Sequence, residues 1–232
     1  MDPAIATYLE VGPRRVFAGA LEWPGWSRRG RDQDDALRTL VAYGPRYAAA
    51  MGTAAHDLEV PADTSELRVT ERLQGNAGTD FGVPGVIPAD DQRPLDAAEL
   101  ERQVALLRAA WAAFDAAAEA AAASSAVLRK GPRGGGRELD AIVSHVLGAD
   151  QGYLRSLGGR HQDGGGDARA EAAGLRAAIV EVLESRARGE PPPRPSRSGK
   201  LWPPRYFVRR SAWHALDHAW EIEDRATAPP PA

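Results

Sequence analysis

The sequence predicts an α+β fold: a small N-terminal antiparallel sheet with a helix, followed by a four-helix bundle. Two patterns carry the prediction. Between residues 5 and 30, short strand-like runs are separated by Gly-Pro and Pro-Gly turns. From residue 96 onward, apolar residues recur at three- and four-residue steps in four blocks divided by Gly-rich or Pro-rich breaks. With 232 residues and 43% hydrophobic content, the chain can bury a proper core as one large or two small domains.

In order, Ile5 to Val11 reads as a strand, Gly12-Pro13 as a turn, and Val16 to Leu21 as the returning strand of a hairpin. Trp23-Pro-Gly-Trp26 breaks the ladder and Ser27 to Gly30 offers a third short strand. Asp32 is a candidate N-cap for a helix with Asp34 and Asp35 in its first turn and Ala36, Leu37, Leu40, Val41 and Tyr47 on its apolar side. Pro45 is expected to kink or divide that helix. Residues 57–93 read as a linker or ordered loop, with a candidate strand at Glu66 to Leu73 and a turn-rich run from Gly75 to Gly85.

Asp96, with Glu99 three residues on, opens the first long helix, expected to reach about Ala123 through Leu100, Val104, Leu107, Trp111 and Phe114. Gly131 to Gly136 ends it. A second helix starts near Glu138, carries Leu139, Ile142, Val143, Val146 and Leu147, and stops at Gly158-Gly159. Asp167 caps a third, with Leu175, Ile179, Val182 and Leu183. A basic, proline-rich connection from Gly189 to Lys200 cannot be helical. Pro203-Pro204 opens the fourth helix, which runs to about Arg225. The expected organisation is therefore a module over 1–56, the segment 57–93, a bundle over 94–226, and a disordered tail over 227–232.

Composition narrows the chemistry. The chain has no cysteine, so any metal must be held by imidazole and carboxylate, and disulfides and cysteine nucleophiles are excluded. A net charge of -3 gives no general drive toward nucleic acid or anionic lipid. No signal-like N-terminus and no run of about twenty strongly apolar residues appears, so a cytoplasmic protein that does not enter membranes is expected. Gly134-Gly135-Gly136 lacks the lysine and hydroxyl residue of a phosphate loop, so no nucleotide cofactor is indicated.

The histidines carry the strongest signal. Of five in the chain, His214 and His218 stand four apart on the fourth helix, so both leave one face. His145 lies on the second helix beside the core positions Ile142 and Val146. It meets that pair if the two helices are neighbours in the right register. Three neutral imidazoles on a tetrahedral ion leave one position open, the pattern of catalytic sites.

One histidine on the second helix and an H-x-x-x-H pair on the last, with a long connection before it, resembles the DinB-like metal-binding four-helix bundles. That superfamily includes mycothiol-dependent isomerases and thiol transferases. The resemblance covers about residues 95–225. It implies a divalent metal on His145, His214 and His218, zinc or nickel first and iron as a further candidate, with activation of water or a thiol, or polarisation of a carbonyl. A low-molecular-weight thiol is then the expected cosubstrate. The stretch from 5 to 51, with its hairpin, the turn in LEWPGW and the acidic cap before DDALRTLVAY, resembles the HicB-like fold, without a basic recognition helix.

Neighbouring residues extend the candidate site. Glu221 shares the helical stripe of the pair and is a candidate fourth ligand, general base, or carboxylate behind a histidine, with an arginine-paired bundle-end carboxylate as the alternative. Tyr206 and Arg210 continue the stripe toward the helix start, Arg210 as a fork for a substrate carboxylate and Tyr206 as a hydrogen-bond donor. Tyr153, two turns beyond His145, is a candidate for the same wall. The basic connection and helix start, with Arg194, Arg197, Lys200 and Arg205, either gathers an anionic substrate or is a solvated link.

The sequence thus favours a metal-dependent transferase acting with a thiol on a small-molecule substrate, hydrolysis being the second reading. No nucleic-acid partner is expected, and a homodimer is compatible. A partner-binding protein with the bundle as scaffold, or a metal acting as a structural pin, are the rivals from other classes.

Overall fold

The computed structural model describes residues 4–124, 127–130, 136–162, 164–192 and 200–227. Expectations for the glycine run at 131–135, for Arg194 and Arg197, and for the tail from 228 fall outside the described residues. Strands β1 (Ile5–Val11), β2 (Val16–Ala20) and β3 (Ser27–Gly30) form the expected antiparallel meander. Tyr8 lies across from Gly19, and a Cβ at that glycine would come within 2.4 Å of the tyrosine ring. In the turn between β2 and β3, Gly25 adopts φ +92°, a left-handed conformation that glycine takes without strain.

Helix α1 (Gln33–Ala42) begins where the acidic cap places it, with the Asp32 carboxylate accepting from the Asp35 N–H at 2.8 Å. Pro45 divides the helical stretch by opening α2 (Gly44–Met51) in its first turn, where the missing N–H is not needed. The segment 57–93 contributes β4 (Leu67–Gln74), which pairs with the whole of β1 in parallel and completes the sheet order β3-β2-β1-β4. The sheet is therefore mixed rather than wholly antiparallel. A parallel partner requires a crossover, and α1 and α2 supply it.

The turn-rich run that follows contains α3 (Ala77–Phe81) and is fastened to the sheet by Glu10. This buried carboxylate accepts from the Thr79 hydroxyl and from the N–H groups of Gly85 and Val86. An unpaired carboxylate would be costly there, and three donors offset the loss of water.

Four long helices follow: α4 (Ala97–Ala123), α5 (Leu139–Leu157), α6 (Ala168–Ala187) and α7 (Pro204–Arg225). Asp96 and Glu99 form a reciprocal capping box on α4, Asp167 caps α6, and Gly158 ends α5 in the left-handed conformation. Cross-helix pairs fix directions. His145 meets His214 while Asp150 meets Ser211, so α5 and α7 run antiparallel. Asp115 to Arg176 and Glu119 to Arg169 set α4 and α6 antiparallel as well. Short strands β5 (Val127–Leu128) and β6 (Ala226–Thr227) pair antiparallel and close the far end.

Helix α7 lies between the sheet and the other bundle helices, and most of its side chains are buried. A helix buried all round is normally apolar, so each polar group on α7 needs a partner. Arg205 donates to the carbonyls of Arg93 and Pro94 and pairs with Glu99. Arg209 grips Asp91 through two nitrogens at 2.8 and 2.7 Å and donates to the carbonyls of Ala20 and Leu21 at 2.7 Å each, which bolts the sheet to the helix. Phe17 on β2 packs edge-on against Trp213. The turn at Gly25 rests on the Ala212 backbone, where a Cβ would come within 3.1 Å.

Asp150 holds the register between α4, α5 and α7, accepting from Ser211 Oγ at 2.8 Å and Trp111 Nε1 at 3.1 Å. Burial raises its pKa to about 6, while those two donors and Arg176 pull it back. A carboxyl with a folded-state pKa above its unfolded value stabilises the fold fully below the unfolded value and loses that contribution as pH rises through the folded one. Two units correspond to about 3 kcal/mol. Between pH 4 and 7, urea unfolding of the chelated wild type is expected to lose up to that much relative to Asp150→Asn; parallel pH profiles would show that Asp150 is ionised in the core at no cost.

Candidate metal centre

The same register brings three imidazoles together. One nitrogen each from His145 on α5 and His214 and His218 on α7 lies within 4.8 Å of the others. The Nε2 atoms of His145 and His214 are 3.2 Å apart. Two nitrogens held at 2.0–2.1 Å by a tetrahedral ion would be about 3.3 Å apart. The rings are not stacked but steeply inclined, at 65°, 83° and 88° in the three pairs.

Glu221 and Arg225 brace His218. The Glu221 carboxylate takes His218 Nδ1 at 2.7 Å on one oxygen and Arg225 at 2.5 Å on the other. Arg225 is itself held by the carbonyls of Arg129 and Arg137. With Nδ1 engaged, Nε2 of His218 is the nitrogen left for an ion, the arrangement that fixes tautomer and ring orientation in histidine metal sites. The hydrogen bond from His218 is the main cause that keeps the Glu221 pKa low. Glu221→Ala is expected to weaken metal binding about 10- to 100-fold with little change in fold, read by competition with a chromophoric chelator. Unchanged affinity would mean that His218 needs no brace.

The donors suit a cation. Burial, then the charges of His218 and Arg210, push the His214 pKa down to about 2, and burial with Arg137 lowers that of His145. Both rings are therefore neutral at neutral pH, with lone pairs free for an ion. His214 is 6% exposed and His218 is also buried, while His145 is half-buried and so the most open of the three.

The walls combine residues legible in the sequence with others that were not. Tyr153 packs edge-on to His214 at 5.7 Å, and Arg210 lies over the rings of Trp213 and Tyr153 at 4.6 and 5.3 Å. Tyr206 stands one layer away: its hydroxyl donates to the Gly85 carbonyl, and its ring reaches the site through Trp202, which packs on Tyr153. Trp202 precedes the helix and carries no spacing that marks it. Asp150 does, since Ile142, Val146, Asp150 and Leu154 step by four along one buried face. Lys200 is exposed and Arg205 is held by the start of α4, so neither contributes to the cluster. The remaining histidines lie elsewhere, His56 against Thr53 and His161 against Glu171.

Fold and site together define an α+β protein whose bundle carries a three-histidine cluster able to hold a metal ion. No family profile, curated protein or solved structure matches the chain. No described helix is long and apolar enough to cross a membrane.

Proposed function

We propose that this protein is a metal-dependent enzyme of small molecules, most simply a transferase that works with a low-molecular-weight thiol. The convergence of His145, His214 and His218 carries the reading, with Glu221 and Arg225 behind His218. Imidazole donors suit zinc or nickel, and iron as a further candidate. The donor order along the chain is the one implied by the resemblance to DinB-like bundles. A divalent ion held there would lower the pKa of a thiol or water brought to it.

The chain's own residues favour the thiol. Both Glu221 oxygens are already taken, by His218 and Arg225, so Glu221 acts as a positioning residue rather than as a free base. Water has to be brought down by the ion from 15.7 to about 7, and its attack is commonly assisted by a base, whereas a free thiol already ionises near pH 8.5 and needs only a small further shift. Tyr153 packs on His214 and Trp202 packs on Tyr153, which gives the cluster an aromatic wall on that side.

Elemental analysis of untagged protein, purified without chelator or added metal, is expected to give about one zinc, nickel or iron per chain. It should give none in the His214→Ala/His218→Ala variant. A wild-type chain that arrives empty and takes up no divalent ion would defeat the reading and leave partner binding as the leading account.

A further inference from the structure

The polar accounting of α7 leaves a remainder, and it sits at the metal centre. The buried side-chain nitrogens without a partner on this helix are Arg210 Nη1, Trp213 Nε1 and His214 Nδ1. They belong to one patch, since Arg210 lies over the Trp213 ring and Trp213 is next to His214 at 6.2 Å between centroids. Arginine and tryptophan nitrogens can only donate. His214 Nδ1 also donates when its Nε2 serves as the ligand. Buried donors left unpaired are costly, each by the desolvation of its group, so the patch is built for acceptors that the protein does not itself supply.

Arg210 differs from the other arginines with an unpartnered buried nitrogen. Arg28 holds Asp217 and Arg176 holds Asp115, so each of those charges is matched. Arg210 has no carboxylate partner among the described residues; its neighbours are the Trp213 ring and Tyr153, which offers it a ring face and a neutral hydroxyl but no counter-charge. The carboxylates closest to the cluster are occupied, Glu221 as described and Asp150 by Ser211 and Trp111.

We infer that the substrate of this centre carries a carboxylate, seated on Arg210 between Tyr153 and Trp213, while its reacting group faces the three histidines. The inference rests on the metal-dependent reading and adds the substrate class. A planar, always-charged fork with an aromatic ring on either side orients a carboxylate, and it disfavours amines beside a second cation.

The test uses the full chain loaded with cobalt, whose visible absorption reports what reaches the ion, and titrates two probes. Mercaptoacetate and 2-mercaptoethanol present the same thiol, with a carboxylate in the first and a hydroxyl in the second. The ratio of their affinities is compared between wild type and Arg210→Gln, because any direct preference of the ion for a carboxylate persists in the variant and cancels. The ratio is expected to fall about 10- to 100-fold in the variant. Arg210→Lys, which keeps the charge but loses the fork, should give an intermediate ratio and serves if the glutamine variant does not fold. An unchanged ratio in Arg210→Gln, or in Arg210→Lys where the glutamine variant does not fold, overturns the carboxylate seat and leaves the metal centre standing. Failure of the wild type to bind cobalt overturns the metal reading itself, and this inference with it.

Discussion

Replacing Asp91 with alanine is expected to lower the unfolding free energy by about 3–5 kcal/mol, the cost of breaking a buried ion pair by removing one partner. Asp91 is fully buried, and Arg209, its partner, is 5% exposed. The pair grew from residues 118 apart in sequence, one in a short turn after β4 and one on α7. Alanine would leave the guanidinium with only the carbonyls of Ala20 and Leu21, a charge in the protein interior without its counter-ion. Urea denaturation of the variant checks the magnitude. A loss below about 1 kcal/mol would place the pair with exposed ion pairs, whose contribution is that small. Asp91→Asn, which keeps an acceptor but no charge, should fall between the two.

His214→Ala is expected to reduce metal affinity by more than about 100-fold and to remove turnover with it. Loss of a group that merely braces a ligand already costs 10- to 100-fold, so loss of the ligand costs at least the upper figure. The thermal midpoint separates this from simple unfolding. An ion present at 100 times its dissociation constant adds about 2.7 kcal/mol to the wild type, so a chelator should lower the wild-type midpoint and leave that of His214→Ala in place. Equal chelator sensitivity in the two proteins would remove His214 from the ligand set.

Local chemistry was legible where one residue type does one thing. Asp32, Asp96 and Asp167 mark helix starts because a short carboxylate reaches the first free N–H groups, and Gly158 marks an end because it adopts the left-handed conformation. The histidine spacing was legible for a similar reason, since four residues make one turn. The direction of β4 was not, because alternation marks a strand without naming its neighbour. The Arg209–Asp91 and Glu10–Thr79 contacts join distant segments, and no local pattern announces them. Tyr206 shows the limit of a helical stripe. On a helix covered from several sides, one stripe passes beneath different neighbours, and Tyr206 meets Gly85 while His214, eight residues later, meets His145.

The placement of α7 would make the sheet a reporter on a bound ion. One helix carries two of the three histidines and, through Arg209, the bolt that holds β2. Any ligand that steadies α7 therefore also slows the openings that expose the β2 amides to deuterium. Occupancy would be readable at Ala20 and Leu21, in a strand and turn that contribute no ligand.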